Sequence, residues 1–276
     1  MSLSRPAAPA PEPLPVASFD GHCHLDMFDA AVPEVLAAAR AAGITRVITV
    51  GTDLASSRWS AACAGQHRDV YAAVAIHPNE TRAAADCAAG RDAVLAELAA
   101  LASLSDVRAV GETGLDYYRD SAPPGVQADW FRAHIALARQ AGKPLMIHDR
   151  DAHADVLRIL AEEGAPEQVI FHCFSGDAEL AKRCADAGYL MSFAGTVTFS
   201  NAPQLREAAR VAPAELILAE TDAPFLTPVP NRGKLNAPAQ VAHTIRALAA
   251  ARGQDVAELC EIIAANGERV FGPWRA

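Results

Sequence analysis

Two histidines one residue apart raise the first chemical question in this chain. They lie in FDGHCHLD, residues 19–26, between Asp20 and Asp26. On a strand, residues i and i+2 project to the same face. His22 and His24 therefore aim together, while Cys23 aims the other way. Taken alone, such a pair reads as two polar side chains hydrogen-bonded at a strand end. Four more residues change that reading, because Glu112, His148, His172 and Asp222 each stand at or just past the end of a short apolar run. All six are metal ligands by type: imidazole suits zinc, and carboxylate tolerates magnesium or manganese as well. One catalytic zinc takes three protein ligands and a water. Six ligands suit two ions with a shared group, and a carboxylate can bridge where an imidazole cannot, so Glu112 is the natural bridge. Asp222 can ligate one ion and also accept a proton from an attacking water. Asp20 and Asp26 either orient the imidazoles from behind or cap the loop.

Ligands so far apart in sequence need a scaffold that brings strand ends together. The apolar runs are VASFDGH (16–22), TRVITVG (45–51), DVYAAVAI (69–76), VRAVGE (107–112), PLMIH (144–148), QVIFH (168–172), GYLMSF (188–193) and ELILAE (215–220). Between them lie alanine-rich amphipathic stretches, including 33–43, 91–102, 126–142, 153–164, 177–188 and 238–253, several of which end at glycine as a left-handed C-cap would. Near-continuous apolar strands are those buried on both faces. Strands alternating with helices imply right-handed βαβ units and a parallel sheet. Eight such units predict a single α/β domain, a (β/α)8 TIM barrel over 19–276, whose active site lies at the C-terminal ends of the strands. No GxGxxG follows the first strand, so an open dinucleotide-binding sheet has no support. The final stretch, 255–272, reads as one more helix packed on the barrel.

Composition narrows the function. The chain has 276 residues, 51% of them hydrophobic, enough for a core that needs no disulfides. A net charge of −9 argues against a broad nucleic-acid groove, which relies on Lys and Arg neutralising phosphates. A narrow site that takes one strand end fits better, with positive charge supplied by metal. The six cysteines include no CxxC pair and read as reduced, mostly packed thiols. No apolar run is long enough to cross a bilayer. Residues 1–18, rich in Pro and Ala, lack the apolar segment of a signal peptide and read as a flexible disordered tail. The expectation is a cytoplasmic protein with no membrane and no obligate protein partner.

Several motifs together resemble the TatD family of metal-dependent deoxyribonucleases, within the amidohydrolase-like TIM barrels. They are HCHLD (22–26), GETGLDYY (111–118), IHDRDA (147–152), HCFSGD (172–177), SFAGTVTF (192–199), ETDAPFLTP (220–228), RGKLNAP (232–238) and ANGERVFG (265–272). The resemblance spans residue 19 to Phe271 in order. It implies that His22, His24 and Asp222 hold one divalent ion, that His148 and His172 hold a second, and that Glu112 bridges. The ions would be Mg, Mn or Zn, and the substrate DNA or a nucleotidic molecule, cleaved from single-strand ends. Glu112 and Asp222 are then the catalytic pair. Arg150 matches an arginine that would contact phosphate. His77, Tyr117, Tyr118, Arg232 and Lys234 are further candidate substrate contacts, the tyrosines offering rings on which a base could stack. Two departures stand out: HPN at 77–79 where the family commonly has HPH, and Ala237 where an acidic residue is usual. His67, His134, His153 and His243 match no ligand position and read as helix or surface histidines. The same barrel and metals would also serve hydrolysis of a carbonyl substrate, such as a cyclic amide, an ester or an aminoacyl-tRNA. A non-catalytic barrel should have lost ligands, and all six are present.

Overall fold

The computed structural model describes residues 6–86 and 90–274. Eight strands alternate with helices: β1 (Ser18–Cys23), α1 (Val32–Ala41), β2 (Ile44–Val50), α2 (Leu54–Gln66), β3 (Val70–Val74), α3 (Thr81–Ala85), α4 (Arg91–Ala102), β4 (Val107–Asp116), α5 (Pro124–Ala141), β5 (Leu145–Arg150), α6 (His153–Glu163), β6 (Val169–Phe171), α7 (Ala178–Asp186), β7 (Leu190–Phe193), α8 (Pro203–Val211), β8 (Ile217–Ala219), α9 (Val241–Arg252) and α10 (Val256–Phe271). The strands follow one another in chain order through a single sheet, the (β/α)8 barrel that the alternation predicts. Each expected strand is present. Helices α2, α3 and α8 are additions to the stretches singled out above. Helix α2 starts at a capping box in which Asp53 and Ser56 satisfy each other's backbone N–H. Gly142 and Gly253 close α5 and α9 in the left-handed conformation.

The chain divides into two compact units: Thr49–His172, and the residues up to Ile48 together with those from Cys173 onward. In the unit Thr49–His172, α5 turns a stripe of Trp130, Phe131, Ile135 and Ala138 inward, all essentially buried, and packs on β4. His134 lies in the same stripe and is fully buried. It is a helix histidine, as expected, and the fold gives both ring nitrogens partners: its Nε2 accepts the N–H of Ile76 at 3.2 Å and its Nδ1 lies 2.9 Å from Thr113 Oγ1. Burial pushes this imidazole down to about 4, so it is neutral.

In the other unit, Phe19 on β1 packs edge-on against Phe271 of α10, ring centroids 6.1 Å apart. Gly267 makes room, since a Cβ there would lie 2.4 Å from the Phe19 ring. Asn266 ties α10 to the base of β8 through its amide, donated to the carbonyls of Ala214 and Ile217.

The N-terminal segment also needs correction. Residues 1–5 lie outside the described residues, but from Pro6 on the expected tail is docked. Leu235 N donates to Pro6 O at 2.9 Å, Ala8 N donates to Leu235 O at 3.2 Å, and Leu14 N donates to Ala42 O at 3.0 Å. The side chains of Gln240 and Arg246 donate to the carbonyls of Pro9 and Pro13. Leu14 is buried. Proline's missing N–H does not prevent docking, because its carbonyl still accepts.

Candidate metal centre

The first ligand group is built where β1 ends. His22 is fully buried within β1 and His24 follows it. Their Nε2 atoms lie 3.3 Å apart. Asp222 Oδ1 stands 3.7 Å from His22 Nε2 and 3.5 Å from His24 Nε2. The backbone enforces this approach: Asp222 N donates to His22 O at 2.9 Å and His24 N donates to Ala223 O at 2.8 Å. Asp222 adopts a left-handed φ of 54°, which Asp and Asn tolerate better than most residues. Bonds of about 2.0–2.1 Å in a tetrahedron put neighbouring ligand atoms about 3.3 Å apart. The donor spacing observed here matches that requirement, so the group fits one divalent ion.

Asp20 does not touch the imidazoles. Its carboxylate accepts the Thr221 N–H at 2.8 Å, the Thr221 hydroxyl at 2.5 Å and the His22 N–H at 3.3 Å. Burial pushes this carboxyl well above its ordinary range, against those hydrogen bonds. Asp20 thus pins the chain that leads into Asp222 to the strand that carries His22. Cys23 faces away, as its spacing requires, with Sγ on Ile48 O at 3.4 Å. Cys173 is only partly buried and has a left-handed φ of 43°. Its N–H donates to Glu220 Oε1 at 2.8 Å.

The second group centres on Glu112. This residue was expected to end its strand, but β4 runs on to Asp116. The ladder between β4 and β5 shifts register between Val110 and Thr113, so two β4 residues face one on β5. Such a bulge re-aims a side chain. Flanking glycines permit it: a Cβ on Gly111 would lie 2.4 Å from Met146 Cβ, and one on Gly114 only 2.0 Å from His148 O. Glu112 Oε1 then lies 2.7 Å from His148 Nδ1, 3.2 Å from His172 Nε2 and 3.3 Å from His77 Nε2. Burial alone would raise this carboxyl, but the surrounding imidazoles of His172, His77 and His148 outweigh it and hold it well below the usual range. His148 is pulled down by burial and up by Asp116 and Glu112, and the net direction is up. A buried carboxylate that stays ionised among nitrogen donors is the chemistry of a metal site, and His77, Glu112 and His148 offer converging ligand atoms.

His77, expected as a substrate contact, thus stands among candidate ligands. Its Nδ1 accepts the Asn79 N–H at 3.0 Å, and Asn79 Nδ2 donates to Asp116 Oδ2 at 3.2 Å. Asn79 stood out only as a departure from the family's HPH and Asp116 not at all, although the acidic end of GETGLD was an available signal for it. Among the other candidates, the Arg150 guanidinium lies 3.9 Å from the centre of the Tyr118 ring, and Arg232 sits 3.9 Å over Phe199. The Tyr117 hydroxyl donates to Asp155 at 2.8 Å; burial, and then this bond, push it up to about 12. Lys234 Nζ is 3.5 Å from Asn231 Oδ1. His153 pairs with Asp149 at 2.7 Å.

The profile described as "TatD related DNase" matches residues 19–272. The chain belongs to the TatD-related DNase family. It is 47% identical over 262 residues to "Uncharacterized metal-dependent hydrolase TatD" of Mycobacterium tuberculosis, covering 92% of this chain and 97% of that one. It is 38% identical to "Uncharacterized metal-dependent hydrolase YabD" of Bacillus subtilis, covering 92% and 98%. Among solved structures it is similar to YJJV, a TatD homologue from Escherichia coli, with a TM-score of 0.86 and 27% identity over 93% of this chain and 98% of that one. This TatD-related chain is therefore a metal-dependent hydrolase. No helix among its described residues is long and apolar enough to cross a membrane.

Proposed function

We propose that the chain cleaves phosphodiester bonds of DNA or a nucleotidic substrate, from single-strand ends, in the cytoplasm. One observation carries the metal reading: two groups of nitrogen and oxygen donors, one spaced for a single ion and one built on a buried anionic glutamate. A divalent ion held at each group, Mg, Mn or Zn, would polarise a phosphoryl oxygen and lower the pKa of an attacking water. The chain's own residues supply the rest. Asp222, partly exposed while its neighbours His22 and His24 are buried, would take the water's proton and pass it toward the leaving oxygen. Arg150 offers a charge that stabilises the phosphoryl oxygens. Tyr118 is 64% exposed and carries the Arg150 guanidinium on its ring, so base stacking and phosphate contact would occur side by side. Tyr117, Arg232 and Lys234 complete the proposed substrate contacts. The net charge of −9 favours this narrow recognition of an end over binding along a duplex.

The test is incubation with end-labelled single-stranded DNA, with EDTA or with added Mg, Mn or Zn. Stepwise shortening that EDTA abolishes is expected. No cleavage with any metal, together with turnover of an ester or cyclic amide, would replace this reading with carbonyl hydrolysis.

A further inference from the structure

Asp116 makes more contacts than a loop cap requires. It is the last residue of β4 and is buried. Its backbone is clamped by Gln127 of α5, which accepts the Asp116 N–H at 2.8 Å and donates to its carbonyl at 3.1 Å. Oδ1 accepts the N–H groups of Tyr118 at 3.0 Å and Arg119 at 2.9 Å. Oδ2 accepts the Asn79 amide at 3.2 Å and faces His148 Nε2 at 3.2 Å. An ionised carboxylate only accepts, so the nitrogen of His148 that faces it must carry a proton. The opposite nitrogen, Nδ1, is the one that meets Glu112 and His77.

We propose that Asp116 is a positioning residue that holds the proton of His148 on Nε2 and so presents Nδ1 as the metal-binding atom. Asn79, where the third-loop motif departs from its expected form, belongs to the same device: it braces Asp116 Oδ2 from one side and His77 Nδ1 from the other. Groups that orient a ligating histidine typically change metal affinity 10–100-fold when removed. The inference rests on the metal reading of His148 given above.

The test uses the full chain labelled with 15N-histidine, with the His148 signals assigned from a His148→Gln spectrum. In the zinc-loaded chain His148 should keep its proton on Nε2. In Asp116→Asn the side-chain oxygen stays with the two backbone N–H groups and an NH2 faces His148. The Nε2 proton signal should then be lost, and zinc affinity by chelator competition should fall about 10–100-fold, while thermal melting of the metal-free chain changes little. Asn79→Ala should produce the same changes in smaller measure. A zinc-loaded wild-type chain in which His148 carries its proton on Nδ1 overturns the proposal without any variant. So does an Asp116→Asn chain with unchanged affinity and an unchanged His148 spectrum. A wild-type chain that binds no zinc defeats the metal reading instead, and the proton on Nε2 in the metal-free chain then still reports on Asp116.

Discussion

The two ligand groups reach similar chemistry by opposite routes. His22, His24 and Asp222 are held by backbone: an i, i+2 pair on one strand, zipped by main-chain hydrogen bonds to the turn that carries Asp222. Glu112, His148, His172 and His77 come from separate strand ends and loops, and a bulge, two glycines, Asp116 and Asn79 bring them together. The acid of the first group is partly exposed and that of the second is enclosed. The first arrangement leaves its acid partly open to solvent. The second keeps a permanent anion among nitrogens, at the cost of a more elaborate support.

The largest effect is expected at Glu112. Glu112→Gln removes the buried anion that the imidazoles surround, and turnover should fall about 10³-fold. Metal analysis should show occupancy lost from the second group and kept by the first. Equal retention at both would remove the distinction between them. Asp222→Asn sharpens the other side. Asparagine tolerates the left-handed backbone, so the fold and some bound metal should survive while turnover drops about 10²-fold or more through loss of the proton acceptor. Full activity in that variant rules out the proton role.

The supports should differ as well. His134 lies behind the second group's strand and is neutral in the fold, with a pKa of about 4 against about 6.5 when unfolded. Its contribution is complete above pH 6.5 and is lost as pH falls from 6.5 toward 4, because the unfolded imidazole takes the proton first. The loss is on the order of 3 kcal/mol. His134→Gln, which cannot titrate, should flatten the decline of urea stability over that window. An unchanged slope contradicts the assignment. The first group's unit is braced instead by the docked segment before β1. Deleting residues 1–13 removes the Leu235 and Arg246 partners and should lower the melting temperature by a few degrees, about 1 kcal/mol.

The same contrast explains what could be read in advance. The strands announced themselves as apolar runs, since burial on both faces leaves no room for alternation. The HCH pair was legible because strand geometry alone decides where i and i+2 point. Asp116 and Asn79 were not, because their roles depend on a bulge at Gly111–Glu112 and on Gln127 reaching across from α5, neither of which has a local signature. His134 looked like any helix histidine until α5 was placed against β4. The N-terminal segment misled by composition: proline and alanine suggest a free tail, and the carbonyls that dock it are present in every residue.

Each group is proposed to hold its own ion, and zinc titration of the EDTA-stripped chain, read by calorimetry and metal analysis, decides the matter. Two equivalents are expected for the wild-type chain, one after His22→Ala with His24→Ala, and one after Glu112→Gln. Binding of no zinc, or a stoichiometry that neither variant changes, would contradict it.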